Sequence, residues 1–115
     1  MTTMPQEFGV SIEQDDARVE VRVSGEIDLA AAPYLRQLLD AVIDAGTGDV
    51  DVDLSSVTFL DSSGLAALLA ARQRLLETPR RFRVLHPSRP AYRVLELSGL
   101  LEVLEVTLNQ ATAAE

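Results

Sequence analysis

Three times along this chain the apolar residues switch from a spacing of two to a spacing of three and four. Val19, Val21 and Val23 alternate with Glu20 and Arg22, and then Leu35, Leu38, Leu39, Val42 and Ile43 recur at helical intervals. Val50, Val52 and Leu54 alternate with Asp51 and Asp53, and Leu65, Leu68, Leu69, Leu75 and Leu76 follow on the helical period. Phe82 and Val84 alternate with Arg81 and Arg83 ahead of a third helical run, Ser88 to Leu100. A period of two lines one face of a strand, whereas 3.6 gathers residues into one stripe of a helix. Strands separated by helices are joined by right-handed crossovers, so most of the sheet must be parallel.

Turn chemistry fills in the rest. Asp15 and Asp16 separate Phe8–Gln14 from Ala17–Ile27, a hairpin signal. Pro33 suits the first turn of the first helix and Gly46 its stop. Thr78 and Pro79 end the second helix. Ser88 is placed to cap the third, Gly99 to stop it, and Tyr92 and Leu95 to face the core. "LEVLEV" (Leu101 to Val106) reads as a last short strand. The expected order is β-β-α-β-α-β-α-β: an α/β fold with a mixed, mostly parallel sheet of four to five strands. Glu20 and Arg22, Asp51 and Asp53, and Arg81 and Arg83 would share one sheet face, with opposite charges on neighbouring strands. The helices are therefore expected mainly on the other face, leaving the charged face to water or a partner. The 115 residues read as a single domain, 1–115, with loose ends at 1–7 and 108–115.

Composition removes several function classes. There is no cysteine and one histidine, His86, so thiolate and histidine-rich metal sites are not expected. The net charge of −8 argues against nucleic acid and anionic membranes, which select basic surfaces. No apolar run approaches the roughly 20 residues that span a bilayer, and the start lacks the basic and apolar regions of a secretory signal. A cytoplasmic protein without a cofactor is the expectation.

The chemically distinctive stretch is Leu60-Asp61-Ser62-Ser63-Gly64-Leu65. It joins a strand to a helix at the carboxyl end of the strand, where parallel sheets present ligands and partners. Ser62 reads as the helix N-cap, with Asp61 sharing the positive helix end. Gly64 costs a helix about 0.5–1 kcal/mol relative to alanine, which suggests that something approaches its backbone closely. A phosphate on Ser62 would add a charge of about −1.5 to −2 where the fold tolerates it and a buried interface does not.

"VTFLDSSGLAALL" (Val57 to Leu69) resembles the signature of STAS domains, particularly the bacterial anti-sigma factor antagonists. "GEIDLAAAPYLRQLL" (Gly25 to Leu39) is similar to the family's second element, and "RVLELSGLLEVLEV" (Arg93 to Val106) to its C-terminal pattern. Thr78-Pro79 departs from the glycine often found between the second helix and the next strand. The resemblance implies the STAS fold and the family's switch. Unphosphorylated antagonist binds an anti-sigma factor and frees the sigma factor. That anti-sigma factor, commonly a serine protein kinase, phosphorylates the serine after the aspartate, here Ser62. A serine phosphatase reverses this. ATP and Mg²⁺ would belong to the kinase, and the contact surface would include Asp28, Asp61, Ser62, Ser63 and Gly64. Asp28 also suits capping of the first helix.

Two other readings compete. One is a non-switching STAS subunit, a scaffold or lipid-transport partner, in which the serines only serve the helix start. The other is a hydrolase with Ser62 as nucleophile, His86 as base and Asp28 or Asp61 as orienter. The chain lacks the Gly-x-Ser-x-Gly elbow, and His86 ends a different strand, so the chain does not read as an enzyme.

Overall fold

The computed structural model describes residues 8–108 as strands β1 (Gly9–Gln14), β2 (Arg18–Ile27), β3 (Asp49–Leu60), β4 (Phe82–Leu85) and β5 (Val106–Thr107), with helices α1 (Ala32–Ala45), α2 (Ser62–Leu75) and α3 (Arg89–Leu97). The ends expected at 1–7 and 108–115 lie, except for Leu108, outside the described residues. The strands lie in sequence order, β1-β2-β3-β4-β5, with β1 antiparallel to β2 and the others parallel. The predicted order and mixed sheet are both present. Asp15 closes the hairpin by accepting the amides of Ala17 and Arg18 at 2.8 and 3.0 Å.

Val21 and Val23 of β2, Val50, Val52 and Leu54 of β3, and Val84 of β4 meet Leu35 and Leu39 of α1, Leu68 of α2 and Leu95 of α3 in a single core. These are the residues that the two periodicities select. Ser88 caps α3 by accepting the Ala91 amide at 3.3 Å. Gly99 closes the helix in the left-handed region (φ +72), so that Leu100 N–H reaches the Leu95 carbonyl at 2.9 Å.

Three features depart from the sequence reading. First, pairing of β3 with β2 slips by one residue between Asp53 and Ser56, and again between Val57 and Phe59. Each extra residue turns the strand over, so burial after Leu54 falls on Val57 and Leu60, three apart. Gly25 takes φ +84 within β2, beside the second slip, a conformation glycine adopts without cost. Second, residues 101–105 form turns, and only Val106 and Thr107 pair as a strand. Leu100, Leu101 and Leu104 pack on the core at helical spacing, and Leu104 N–H bonds the Leu100 carbonyl at 3.0 Å. That spacing overrides the alternation suggested by "LEVLEV".

Third, the charged face is not simply solvated. Asp51 is fully buried, and Arg83, directly opposite it in register, holds its carboxylate at 2.8 and 2.9 Å. Arg18 adds a third contact at 3.1 Å. On the β2 side the register sets Glu20 opposite Asp51, a like pair, and Glu20 turns instead to Arg22 at 2.8 Å. Replacing Arg83 by Met leaves a buried carboxylate with Arg18 alone. Urea unfolding is expected to show a loss of about 2 kcal/mol, below the ~3–5 kcal/mol of a fully orphaned buried charge. An unchanged midpoint would mean the pair only decorates the sheet.

Candidate functional site

β2 and β3 finish side by side: Ile27 pairs with Leu60, and the Asp61 amide donates to the Ile27 carbonyl at 3.4 Å. Asp28 and Asp61 therefore leave neighbouring strand ends at the carboxyl edge of the sheet. Asp28 accepts the amides of Ala30 and Ala31 at 3.1 and 2.9 Å. It ties the turn into α1 rather than capping the helix, whose N-cap position is Ala31 with no side-chain bond.

Asp61, not Ser62, caps α2. Its backbone is still extended (φ −120, ψ −172), and its Oδ1 accepts the amides of Ser63 and Gly64 at 2.9 and 3.2 Å. A capping side chain must come from the residue that has not yet entered the helix, and Ser62 has already entered it. The Ser63 hydroxyl also donates to Asp61 Oδ1. That bond is the largest cause holding the Asp61 carboxyl below the usual aspartate range. Burial opposes it, and the amides of Gly64 and Ser63 reinforce it. Ser62 stands exposed at the first helical position, its hydroxyl without a hydrogen-bond partner among the described residues.

Gly64 is buried, and the close approach its identity suggested comes from within the chain. A Cβ there would lie 2.5 Å from Leu60 Cδ1, 2.8 Å from Ile27 Cγ2 and 3.1 Å from the Ile27 carbonyl oxygen. Glycine is the residue that lets α2 start against the ends of β2 and β3. Of the five residues expected at the contact surface, Gly64 therefore offers no accessible side-chain position.

Beside Ser62 the first turns of α1 and α2 enclose a shallow apolar groove of about 370 Å³, lined by Leu29, Ala32, Pro33, Ser63, Ala66 and Ala67, with Arg36 at its rim. Leu29 is 77% exposed and adds apolar surface to the groove. Sequence reading passed over it because it sits in a turn and belongs to neither apolar period. Alanines at 32, 66 and 67 keep the groove open.

His86 is not brought to Ser62. It follows Leu85, which pairs with Asp53, and β3 runs on from Asp53 to Leu60, roughly 20 Å of strand, before reaching the serines. His86 adopts φ +49, and its Nδ1 is buried without a partner among the described residues. Among these residues no cluster of histidine, aspartate and glutamate has the arrangement to hold a metal. Among the described residues no helix is long and apolar enough to cross a membrane.

Gly64→Ala is expected to lower stability by about 1–3 kcal/mol despite alanine's better helix propensity, because the added methyl meets backbone as well as side chains. An unchanged thermal midpoint would show that the strand ends yield freely. Asp61→Ala should cost about 1 kcal/mol at neutral pH. The folded-state carboxyl titrates below its unfolded value. Its contribution is thus present above the unfolded value and fades as pH falls through the lowered one, in the region below about pH 4. Urea midpoints of wild type and Asp61→Ala should therefore converge in that acid range. A gap that stays constant from pH 7 down to pH 2 would refute the carboxylate's role.

The fold has counterparts among known proteins. A family model described as "Mlab, STAS domain" matches residues 10–106. The chain is similar to the anti-sigma-B factor antagonist of Staphylococcus epidermidis, 31% identical over 96 residues, covering 84% of this chain and 87% of the relative. Among solved structures it is similar to an anti-sigma factor antagonist from Mycobacterium paratuberculosis, 31% identical with a TM-score of 0.82, covering 98% of this chain and 96% of that one. It is also similar to the anti-sigma factor antagonist SpoIIAA in its unphosphorylated form, at 26% identity and a TM-score of 0.69, with 92% and 93% coverage.

Proposed function

This chain belongs to the STAS domain family, and we propose that it works in the cytoplasm as an anti-sigma factor antagonist switched at Ser62. In its unphosphorylated form it binds an anti-sigma factor, and the sigma factor is released. The anti-sigma factor is itself a serine protein kinase. It transfers the γ-phosphoryl group of its own ATP, with Mg²⁺, to the Ser62 oxygen, and the antagonist lets go. A serine phosphatase restores the starting state. The antagonist performs no chemistry of its own and acts through one exposed face.

The observation that carries this reading is the division of labour in the turn. Asp61 is the cap and the Ser63 hydroxyl is committed to it, whereas Ser62 is exposed and its hydroxyl has no hydrogen-bond partner among the described residues. The amides of Ser63 and Gly64, which would otherwise draw in an anion at a helix start, are already bonded to Asp61. A phosphate on Ser62 therefore stays outside the helix end, beside a second anion. The fold loses little. A partner seated on the Leu29 groove would have to desolvate both charges, a penalty of roughly 3–4 kcal/mol, or a few hundredfold in affinity.

The place of Ser62 at the first helical position of α2 also allows one second reading, a non-switching STAS subunit in which Ser62 has no role beyond that position. Incubation with the candidate anti-sigma kinases of the source genome, ATP and Mg²⁺, followed by peptide mass spectrometry, separates the two. A single phosphate on Ser62 is expected, and no phosphate with any candidate favours the second reading. With the cognate anti-sigma factor, Ser62→Asp is expected to weaken binding at least tenfold, less than phosphate because it adds one charge. Its melting temperature should stay within about 2 °C of wild type. Leu29→Glu should weaken the same complex with equally little change in melting temperature, and full affinity in that variant would remove the groove from the interface.

A further inference from the structure

Exposure alone does not separate the two serines of the turn. Ser62 is open to solvent, but Ser63 also lines the groove that a partner would approach. Both are hydroxyls one residue apart at the mouth of the same helix. What separates them is bonding: the Ser63 Oγ–H donates to Asp61 Oδ1, and Ser62 has no such partner among the described residues. Resting on the Ser62 switch reading, we infer that Asp61 is the specificity-determining residue of the phosphorylation site, because it locks the neighbouring Ser63 hydroxyl out of the reaction.

The chemistry of transfer explains how. The attacking oxygen forms a bond to the γ-phosphorus of ATP while the bond from that phosphorus to the ADP oxygen breaks. The hydroxyl proton leaves to a base of the kinase or to water. Ser62 can turn its oxygen to any approach direction. Ser63 is held with its oxygen against the cap carboxylate, and it must leave that bond to swing toward an incoming phosphorus. A hydroxyl–carboxylate bond is shorter and about twice as strong as one between neutral groups. Breaking it also leaves Asp61 with the two amides alone. The same bond is the first cause holding the Asp61 carboxyl below the usual aspartate range. Asp61 acts here as a positioning residue: it touches neither ATP nor the transferred phosphoryl group.

The inference predicts what happens when Ser62 is removed. With the kinase that labels the wild-type chain, ATP and Mg²⁺, Ser62→Ala should be labelled on Ser63 about 10- to 100-fold more slowly than wild type is labelled on Ser62. Adding Asp61→Gly to Ser62→Ala keeps an acceptable cap residue and removes the carboxylate. Peptide mapping should then show Ser63 labelling rise about tenfold or more, with unchanged far-UV circular dichroism. Equal labelling of Ser63 in Ser62→Ala with Asp61 intact would overturn the inference and leave the switch reading standing. A folded double variant that is labelled no faster would also overturn it, provided Asp61→Gly alone still takes phosphate on Ser62. If that single variant is not labelled, an NMR titration of the Asp61 side-chain carbon decides. Ser63→Ala should move its midpoint upward, and an unmoved midpoint overturns the lock. A wild-type chain that no candidate kinase labels would instead overturn the switch reading, and this inference with it.

Discussion

The pairing of Ile27 with Leu60 at the end of β2 and β3 is the constraint on which the rest of the structure depends. It is reached only because β3 takes two extra residues on its way, once after Asp53 and once after Val57. Without them the side chains beyond Leu54 would follow simple alternation, and α2 would not start where Leu60 and Ile27 jointly leave room for Gly64. The two bulges thus convert a sheet edge into a platform with two aspartates, one at each strand end. Bulges commonly serve to re-aim side chains near functional surfaces.

On that platform one carboxylate does the structural task of three polar side chains. Asp61 satisfies two amides and one hydroxyl, so α2 begins without needing Ser62. A residue that the fold does not need is a residue that regulation can alter. Had Ser62 been the cap, a phosphate there would have broken a bond worth about 1 kcal/mol to the helix, and the switch would have acted on folding as well as on binding. Leu29, at the groove beside it, is likewise unneeded by the core: it contributes nothing to the buried cluster and exposes most of its surface.

Much of this was legible in the sequence. The change from alternation to helical spacing located every helix and the first four strands, and Ser88 and Gly99 bound the third helix as expected. What could not be read were features fixed by register. Ser55, Ser56, Thr58 and Phe59 break the alternation of β3, but nothing local states that the break is two bulges rather than an exposed end. Asp61 and Ser62 are both good cap residues, and the choice turns on which backbone is still extended, a matter of where β3 stops. Gly64 was noticed as costly, yet its reason, a carbonyl and two side chains from other strands, is tertiary. Leu29 was missed because a single exposed leucine has no period. "LEVLEV" was misread because Leu100, Leu101 and Leu104 obey a helical spacing that begins inside the preceding stop signal.

The burial of Asp51 bears on how a surface switch can be isolated from the fold. Its ion pairs with Arg83 and Arg18 bind β3 to β4 and to β2 on the face away from the helical core. The charge added at Ser62 lies past the far end of β3, several residues beyond Asp53. From Asp51 the strand runs more than roughly 20 Å before Ser62, well beyond the ~8 Å over which salt screens an exposed charge. A phosphate therefore acts on what sits directly over the turn and not on the ion pairs that hold the sheet. Locality of this kind requires that the strongest electrostatic contacts and the regulated one occupy opposite ends of the same strand, which is the arrangement β3 provides.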